Sequence, residues 1–378
     1  MQQYDTPWKF IKQQNCLVYC LIIPLFIGSN QTHADTPQTT LNIATWGGLY
    51  QTAQQAAIFT PFTAKTGIQI ATQPYNGGIG ILQRADKPDL IDMVEEDALR
   101  ACDTGLLHEA DFTQFVDSGP SGESVQQDFL PHSFLPCSVA QLSFSTVAAY
   151  SITAYPDIKP QTIADFFDLQ RFPGKRGLRK EPAVMLEWAL AANGVPLNQI
   201  YDLLSTERGL QLALKKLDSL REHIVWWEDP DEPANLLKSG QVAMTSGYNG
   251  RLFAAQSRNS PIIILWDAQI TEKATWVIPR QKQQAKIKPE ILTFIRYATA
   301  TRTQAKLAEN IPYGPTRYSA FAFIGKHPEN GQVMSGHLPT APHHLSRALF
   351  KDSKWSANTA TLRQEAFEQW LKEPTGRK

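Results

Sequence analysis

Six consecutive residues, Ser246-Gly247-Tyr248-Asn249-Gly250-Arg251, set a phenol, an amide and a guanidinium side by side. They lie between the apolar run Val242–Met244 and an apolar segment that starts at Leu252, so the order reads strand, tight turn, helix. Backbone N–H groups at such a helix start can hold a small polar ligand. The same glycines and asparagine also suit an ordinary turn, because both residue types tolerate positive φ. The pattern recurs along the chain. Trp46 precedes Gly47-Gly48, Trp226-Trp227 precede Glu228-Asp229, Trp266 precedes Asp267, Trp276 lies in another apolar run, and Tyr313 sits in the loop Ile311–Arg317. Aromatic faces beside carboxylates hold a cationic or amphipathic small molecule by stacking, cation–π attraction and ion pairing. Core packing claims a share of these rings as well. Glu95-Glu96-Asp97 close the apolar run Asp89–Val94. Acids there either cap the following helix or face a ligand; Asp97, directly before Ala98, is the cap candidate, which leaves Glu95 and Glu96 freer.

Positioning these residues takes an α/β framework. Leu41–Trp46 alternates as a strand, Gly47-Gly48 breaks it, and Ala53, Ala56, Ala57, Phe59 and Phe62 follow at helical spacing up to Gly67. Ile68–Ala71 completes a β-α-β unit, and ligands of open α/β sheets sit at the carboxyl ends of such strands. Cys137–Tyr150 reads as a strand leaving one lobe for another. Further strands are expected at Ile224–Trp227, Ile262–Asp267 and Ala274–Ile278, with helices at Pro182–Asn193, Leu203–Arg221, Pro289–Thr301 and Thr303–Glu309.

At 378 residues the chain has room for two domains. Its 36 basic and 36 acidic residues cancel, so charge draws it neither to nucleic acid nor to an anionic membrane surface. Lys9 and Lys12, the apolar stretch Cys16–Ile27 and the small residues before Asp35 have the layout of a secretory signal over residues 1–34, with cleavage after Ala34. Export leaves Cys102 and Cys137, for which a disulfide is expected, two separate buried thiols being the alternative. Such a bridge closes a loop worth roughly 3–4 kcal/mol. No dinucleotide fingerprint, P-loop, nucleophile elbow or zinc-protease motif occurs, so no cofactor, no metal and no catalytic residue is assigned. His343-His344 are read onto a solvated loop.

A series of short motifs carries a resemblance. Thr45-Trp46-Gly47-Gly48 is followed by Pro61-Phe62 with Thr66-Gly67-Ile68, and then by Asp92-Met93-Val94. Tyr248-Asn249-Gly250, Trp276-x-Ile278-Pro279 and Tyr313-Gly314-Pro315-Thr316 come after them. In this order, behind a signal segment, the chain over residues 40–320 resembles the periplasmic solute-binding proteins of ABC importers, in particular the spermidine/putrescine-binding branch. The resemblance implies a two-lobed periplasmic binding protein of type II, with two crossing strands and a central cleft that closes on a solute. Lobe 1 would hold residues 35–147 and 250–315, and lobe 2 residues 148–249 and 316–378. It further implies a periplasmic monomer that hands its solute to a permease in the inner membrane.

By position, Trp46, Tyr50, Tyr248 and Tyr313 match that family's aromatic wall, and Trp227 and Trp276 join them as strand-end aromatics. Glu95 and Glu96 fall where the family has polar contacts, and Glu181 falls near its acidic positions, although Val184 stands where another acid is expected. Arg251 departs from the pattern. A guanidinium in the cleft repels a polyamine and suits a carboxylate-bearing or zwitterionic solute, such as an opine or amino-acid conjugate. Turned away, it would pair with Asp267 or Glu181. A ferric ion would need clustered tyrosines, and no Tyr-Tyr pair occurs.

Overall fold

The computed structural model describes residues 39–281 and 286–373; the signal segment 1–34 lies outside the described residues. Eleven strands form one mixed sheet: β1 Thr40–Thr45, β2 Gln69–Pro74, β3 Leu90–Val94, β4 Phe134–Leu135, β5 Ser138–Ser151, β6 Arg176–Arg179, β7 Ile224–Trp227, β8 Met244–Tyr248, β9 Ile262–Val277, β10 Gly314–Pro315 and β11 Leu349–Phe350. Their principal order is β2-β1-β3-β9-β5-β8-β6-β7, with β4 and β10 beside β5 and β11 beside β9. The outer groups, β2-β1-β3 and β8-β6-β7, are parallel. β9 and β5 run antiparallel between them. Every residue of β5 is buried, as expected of a strand covered on both faces.

Of five hydrophobic clusters among the described residues, two are large. One gathers Leu41, Phe59, Phe62, Trp276 and Phe294 around β1–β3. The other gathers Phe166, Trp188, Leu217, Phe367 and Trp370 around the second parallel group. β5 contributes Val139, Leu142 and Phe144 to the first and Ala148 and Tyr150 to the second. β9 contributes Ala274 and Trp276 to the first and Leu265, Ala268 and Ile270 to the second. The protein is therefore two-lobed, and β5 and β9 are the strands that cross. Leu252 of the helix Asn249–Ser257 and Ile262 pack with Val147, Ala149 and Leu237, while Asn249 of the same helix donates to the Pro312 carbonyl.

Two sequence expectations change here. Ile262–Asp267 and Ala274–Ile278 belong to one strand, because Trp266–Gln269 bulge opposite Val147 and the ladder resumes beyond them. Ala268 takes φ 52° in that bulge, and its carbonyl accepts from the Trp188 indole at 2.8 Å. No tight turn separates β8 from its helix: Ser246, Gly247 and Tyr248 are strand residues, and the helix starts at Asn249. Pairing of Thr245–Tyr248 with Thr146–Ala149 of β5 overrides the local turn preference.

Covalent and ionic ties hold the first lobe. Cys102 and Cys137 form the expected disulfide, joining the helix Glu95–Asp103 to the start of β5. Arg317 is wholly buried, donates to Asp128 at 2.6 Å and to the Asp117 carbonyl, and lies over the Phe129 ring. Asp128 also accepts from the Ser319 N–H and hydroxyl, both at 2.8 Å. Removing one partner of a buried pair strands the other charge. Arg317→Met is expected to lower the unfolding free energy by about 3–5 kcal/mol in urea titration; a loss below about 1 kcal/mol would show that Asp128 is satisfied without it.

Candidate functional site

The parallel strands of both lobes point their carboxyl ends at one cavity of about 500 Å³. β1 leads to Trp46, β3 to Val94 and the helix bearing Glu96, Asp97 and Arg100, and β6 to Arg179 and Glu181. β7 ends on Trp227, β8 brings Ser246 and Tyr248, and the crossing strands add Phe144, Thr146 and Glu272. Lys351 and the C-terminal helix Ser353–Lys372, through Ala360–Glu365, close one side. A narrower recess of about 40 Å³, lined by Tyr50, Leu142, Pro230, Arg251, Ala274 and Tyr313, opens off the rings of Trp46, Phe144 and Tyr248.

Aromatic edges frame this space. Trp227 and Phe144 each meet Tyr248 edge-on, at 6.2 and 5.6 Å between ring centres, and Tyr50 meets Tyr313 at 5.5 Å. Trp46 rests over Gly77, whose φ of 94° and missing side chain let the ring approach. The Arg179 guanidinium lies 5.8 Å from the Trp227 ring and 6.0 Å from the Tyr248 ring. It donates to the Tyr248 hydroxyl at 2.6 Å and to Glu181 at 3.1 Å. Burial works against its charge, but Tyr248, Glu181 and Glu272 outweigh that and raise its pKa. Burial raises the Glu181 carboxyl and Arg179 partly offsets it. Burial also raises the Tyr248 phenol, and it pushes Tyr313 up to about 12. The site thus presents a guanidinium and carboxylates a few ångströms apart within an aromatic frame.

Of the residues expected from sequence, Trp46, Glu96, Glu181, Trp227 and Tyr248 line the main cavity. Tyr50, Arg251 and Tyr313 line the recess. Glu95 turns away, accepting from Lys273 at 3.0 Å and from Ser353 at 2.6 Å. Trp276 is a core residue: it sits two positions beyond Ala274, opposite Val139 and Asp92, and packs edge-on against Phe294. Trp226 faces Phe367 and Trp370, and Trp266 stacks on His344, which is buried rather than solvated. Asp97 does not cap its helix; it accepts the Gly78 N–H from across the cavity rim. Arg251 pairs with neither Asp267 nor Glu181 but with Asp231, its second nitrogen 3.4 Å from the Trp46 carbonyl. Val184, where an acid was expected, lines the cavity at φ 71°, a costly conformation for a β-branched residue.

The sequence reading missed Phe144, Arg179, Glu272, Lys351 and Arg363. Arg179 ends β6 as the tryptophans end β7, so the strand-end rule applied to charged residues would have found it. Lys351 and Arg363 come from the far end of the chain and carry no local signal.

Behind the recess lies a buried acid. Asp92 accepts from the Tyr50 hydroxyl at 2.6 Å and from Gln54 at 2.8 Å. Its other oxygen and both polar atoms of Gln141 lack hydrogen-bond partners. Desolvation pushes its carboxyl up to about 7, against the hydrogen bonds from Tyr50 and Gln54. An unfolded Asp titrates near ~4. Between these values the folded chain holds a proton that the unfolded chain has lost, so this group's contribution to stability falls as pH rises from about 4 through 7. Asp92→Asn keeps the acceptor and cannot ionise. Urea unfolding should find the stability of the variant relative to the parent higher by roughly 2–3 kcal/mol at pH 8 than at pH 5; an equal difference at both values would contradict the assignment.

Comparison with known proteins agrees with this architecture. Residues 57–332 match the family model described as bacterial extracellular solute-binding protein. The gamma-aminobutyric acid-binding protein of Pseudomonas aeruginosa is 32% identical over 342 residues, spanning 89% of this chain and 92% of that one. An ABC transporter substrate-binding protein from Bradyrhizobium japonicum superposes with a TM-score of 0.76 at 26% identity, covering 88% of this chain and 100% of its own. The binding protein MotA of A. tumefaciens, solved in complex with glucopine, gives 0.77 at 25% identity over the same shares. The family match and the similarity of both sequence and fold lead to one conclusion: the chain belongs to the bacterial extracellular solute-binding protein family.

Proposed function

We propose that this protein is the solute-binding component of an ABC importer and captures a small zwitterion, an ω-amino acid or an amino-acid conjugate, between its two lobes. The carrying observation is Arg179. Its guanidinium is held between Trp227 and Tyr248, faces the cavity and lies beside Glu181. A planar, always-charged fork is the natural partner of a carboxylate, and neighbouring carboxylates suit an amine on the same solute. The solute named for the Pseudomonas relative carries both groups, and so does the glucopine bound by the Agrobacterium protein.

The bodies that close are taken to be the two cores, moving about β5 and β9 near Phe144–Val147 and Ile270–Ala274, where both strands pass from one core to the other. On this reading the protein works in the periplasm as a monomer, binds without catalysing, and delivers its solute to an inner-membrane permease. Among the described residues no helix is long and apolar enough to cross a membrane, and no group of three or more His, Cys, Asp or Glu side chains is placed to hold a metal ion.

A polyamine is the second reading. It is favoured by the lining's acids, Glu96, Asp97, Glu181, Glu272 and Glu365, set against Arg100, Arg179, Lys351 and Arg363. Arg179 and Lys351 decide between the two, since a solute that is cationic along its length must pass both. Isothermal titration of the mature chain is expected to give binding with γ-aminobutyrate or a glucopine-type conjugate, and weaker or no binding with putrescine and spermidine. Arg179→Met should weaken the zwitterion by ten-fold or more, the scale of a lost charge-assisted hydrogen bond. Binding confined to polyamines would overturn the zwitterion reading.

A further inference from the structure

Glu272 occupies a position that no sequence pattern singled out, on the strand shared by both lobes. Its side chain is 10% exposed, and it lines the cavity. One oxygen, Oε2, accepts from Lys351 at 2.6 Å; among the described residues the other, Oε1, has no hydrogen-bond donor, yet it is not sealed off from the cavity. Glu181 also leaves one oxygen unbonded, but its side chain is 34% exposed and its other oxygen is held by Arg179, whereas Glu96 and Asp97 are committed on both oxygens. Glu96 spends both oxygens on Lys351, Arg363 and Ser356. Asp97 accepts from Gly78 and faces Arg100.

An ionised carboxylate nine-tenths buried with one oxygen unfilled costs free energy unless a donor completes it. Charged groups near Glu272 include Arg179, Glu181, Glu187 and Lys351, and none of the first three donates to it. Lys351 is itself held on both sides, by Glu272 and by Glu96 at 2.9 Å, and these acids raise its pKa against its burial. It holds Oε2 and leaves Oε1 without a protein donor among the described residues, on a side chain that lines the cavity.

We propose that Glu272 is the residue that recognises the solute's ammonium group, and that Lys351 is its positioning residue. The ammonium would donate to Oε1 while Lys351 keeps Oε2, with the solute's carboxylate on Arg179. This deepens the zwitterion reading and rests on it for the carboxylate end only; the ammonium end holds equally for a polyamine.

The test measures affinities of the full mature chain and its variants for γ-aminobutyrate, putrescine and butyrate by titration calorimetry, with thermal unfolding as the folding control. In Glu272→Gln, affinity for γ-aminobutyrate should fall at least ten-fold, while that for butyrate, which keeps the carboxylate and lacks the amine, changes less than two-fold. Lys351→Met should show the same split and Lys351→Arg should restore most of the γ-aminobutyrate affinity; a purely structural lysine would weaken both probes together. Parent binding of putrescine alone, again lost in Glu272→Gln, would sink the zwitterion reading and leave this assignment standing. Unchanged affinity of Glu272→Gln for the ammonium probe that the parent binds would overturn it, as would a parent that binds butyrate as well as γ-aminobutyrate, or none of the three.

Discussion

The antiparallel pairing of β5 with β9 is the constraint on which the rest depends. Each strand is long enough to belong to both cores, and their shared ladder is the only stretch of sheet common to the two parallel groups among the described residues. Backbone hydrogen bonds must be satisfied along a strand buried on both faces, so the ladder cannot fray where the lobes meet. It yields by a local irregularity instead. The Trp266–Gln269 bulge, with Ala268 at φ 52°, interrupts the pairing; the Ala268 carbonyl accepts from the Trp188 indole and Gln269 Nε2 donates to the Pro339 and His344 carbonyls, while Gln269 Oε1 has no partner among the described residues. The cavity lies beside this junction because both parallel groups end there.

Burying charge near that junction sets a second requirement. Lys351, Arg363 and Lys273 neutralise Glu96, Glu272 and Glu95, and Arg251 neutralises Asp231. These pairs cost desolvation, and what they supply is geometry rather than net stability. The side chains that remain incompletely paired, Arg179, Glu181 and Glu272, are those that face open space in the cavity. Affinity for a solute then comes from completing interactions that the protein leaves unfinished, in surroundings where a polar contact counts for more than it does in water.

Legibility in the sequence followed how local each signal was. The first β-α-β unit, Gly47-Gly48 and the strand-end aromatics Trp46, Trp227 and Tyr248 could be read because strand alternation and glycine breaks act over a few residues. Trp276 was misplaced, since its pattern matches that of Trp227, and only the covering Phe294 and its distance along β9 assign it to the core. The turn at Ser246–Gly250 was overridden by pairing with β5, far away in sequence. Arg251 lines the recess, and its partner Asp231 lies on a loop whose approach no periodicity announces. Lys351 and Arg363 pair with an acid some 250 residues earlier, a separation at which sequence pattern carries no information.

That separation also bears on how the chain matures. β11 and the C-terminal helix are the last described elements to emerge in synthesis, and they alone bring Lys351 and Arg363 to Glu96 and Glu272. Until they dock, two acids destined for burial have no counter-charge, and the lobes that flank them are already long enough to begin folding. The pairing of Glu96 and Glu272 therefore waits on the segment that carries Lys351 and Arg363, so a chain cut before Lys351 would be marked by an open, over-acidic groove instead of passing as a weak but finished receptor.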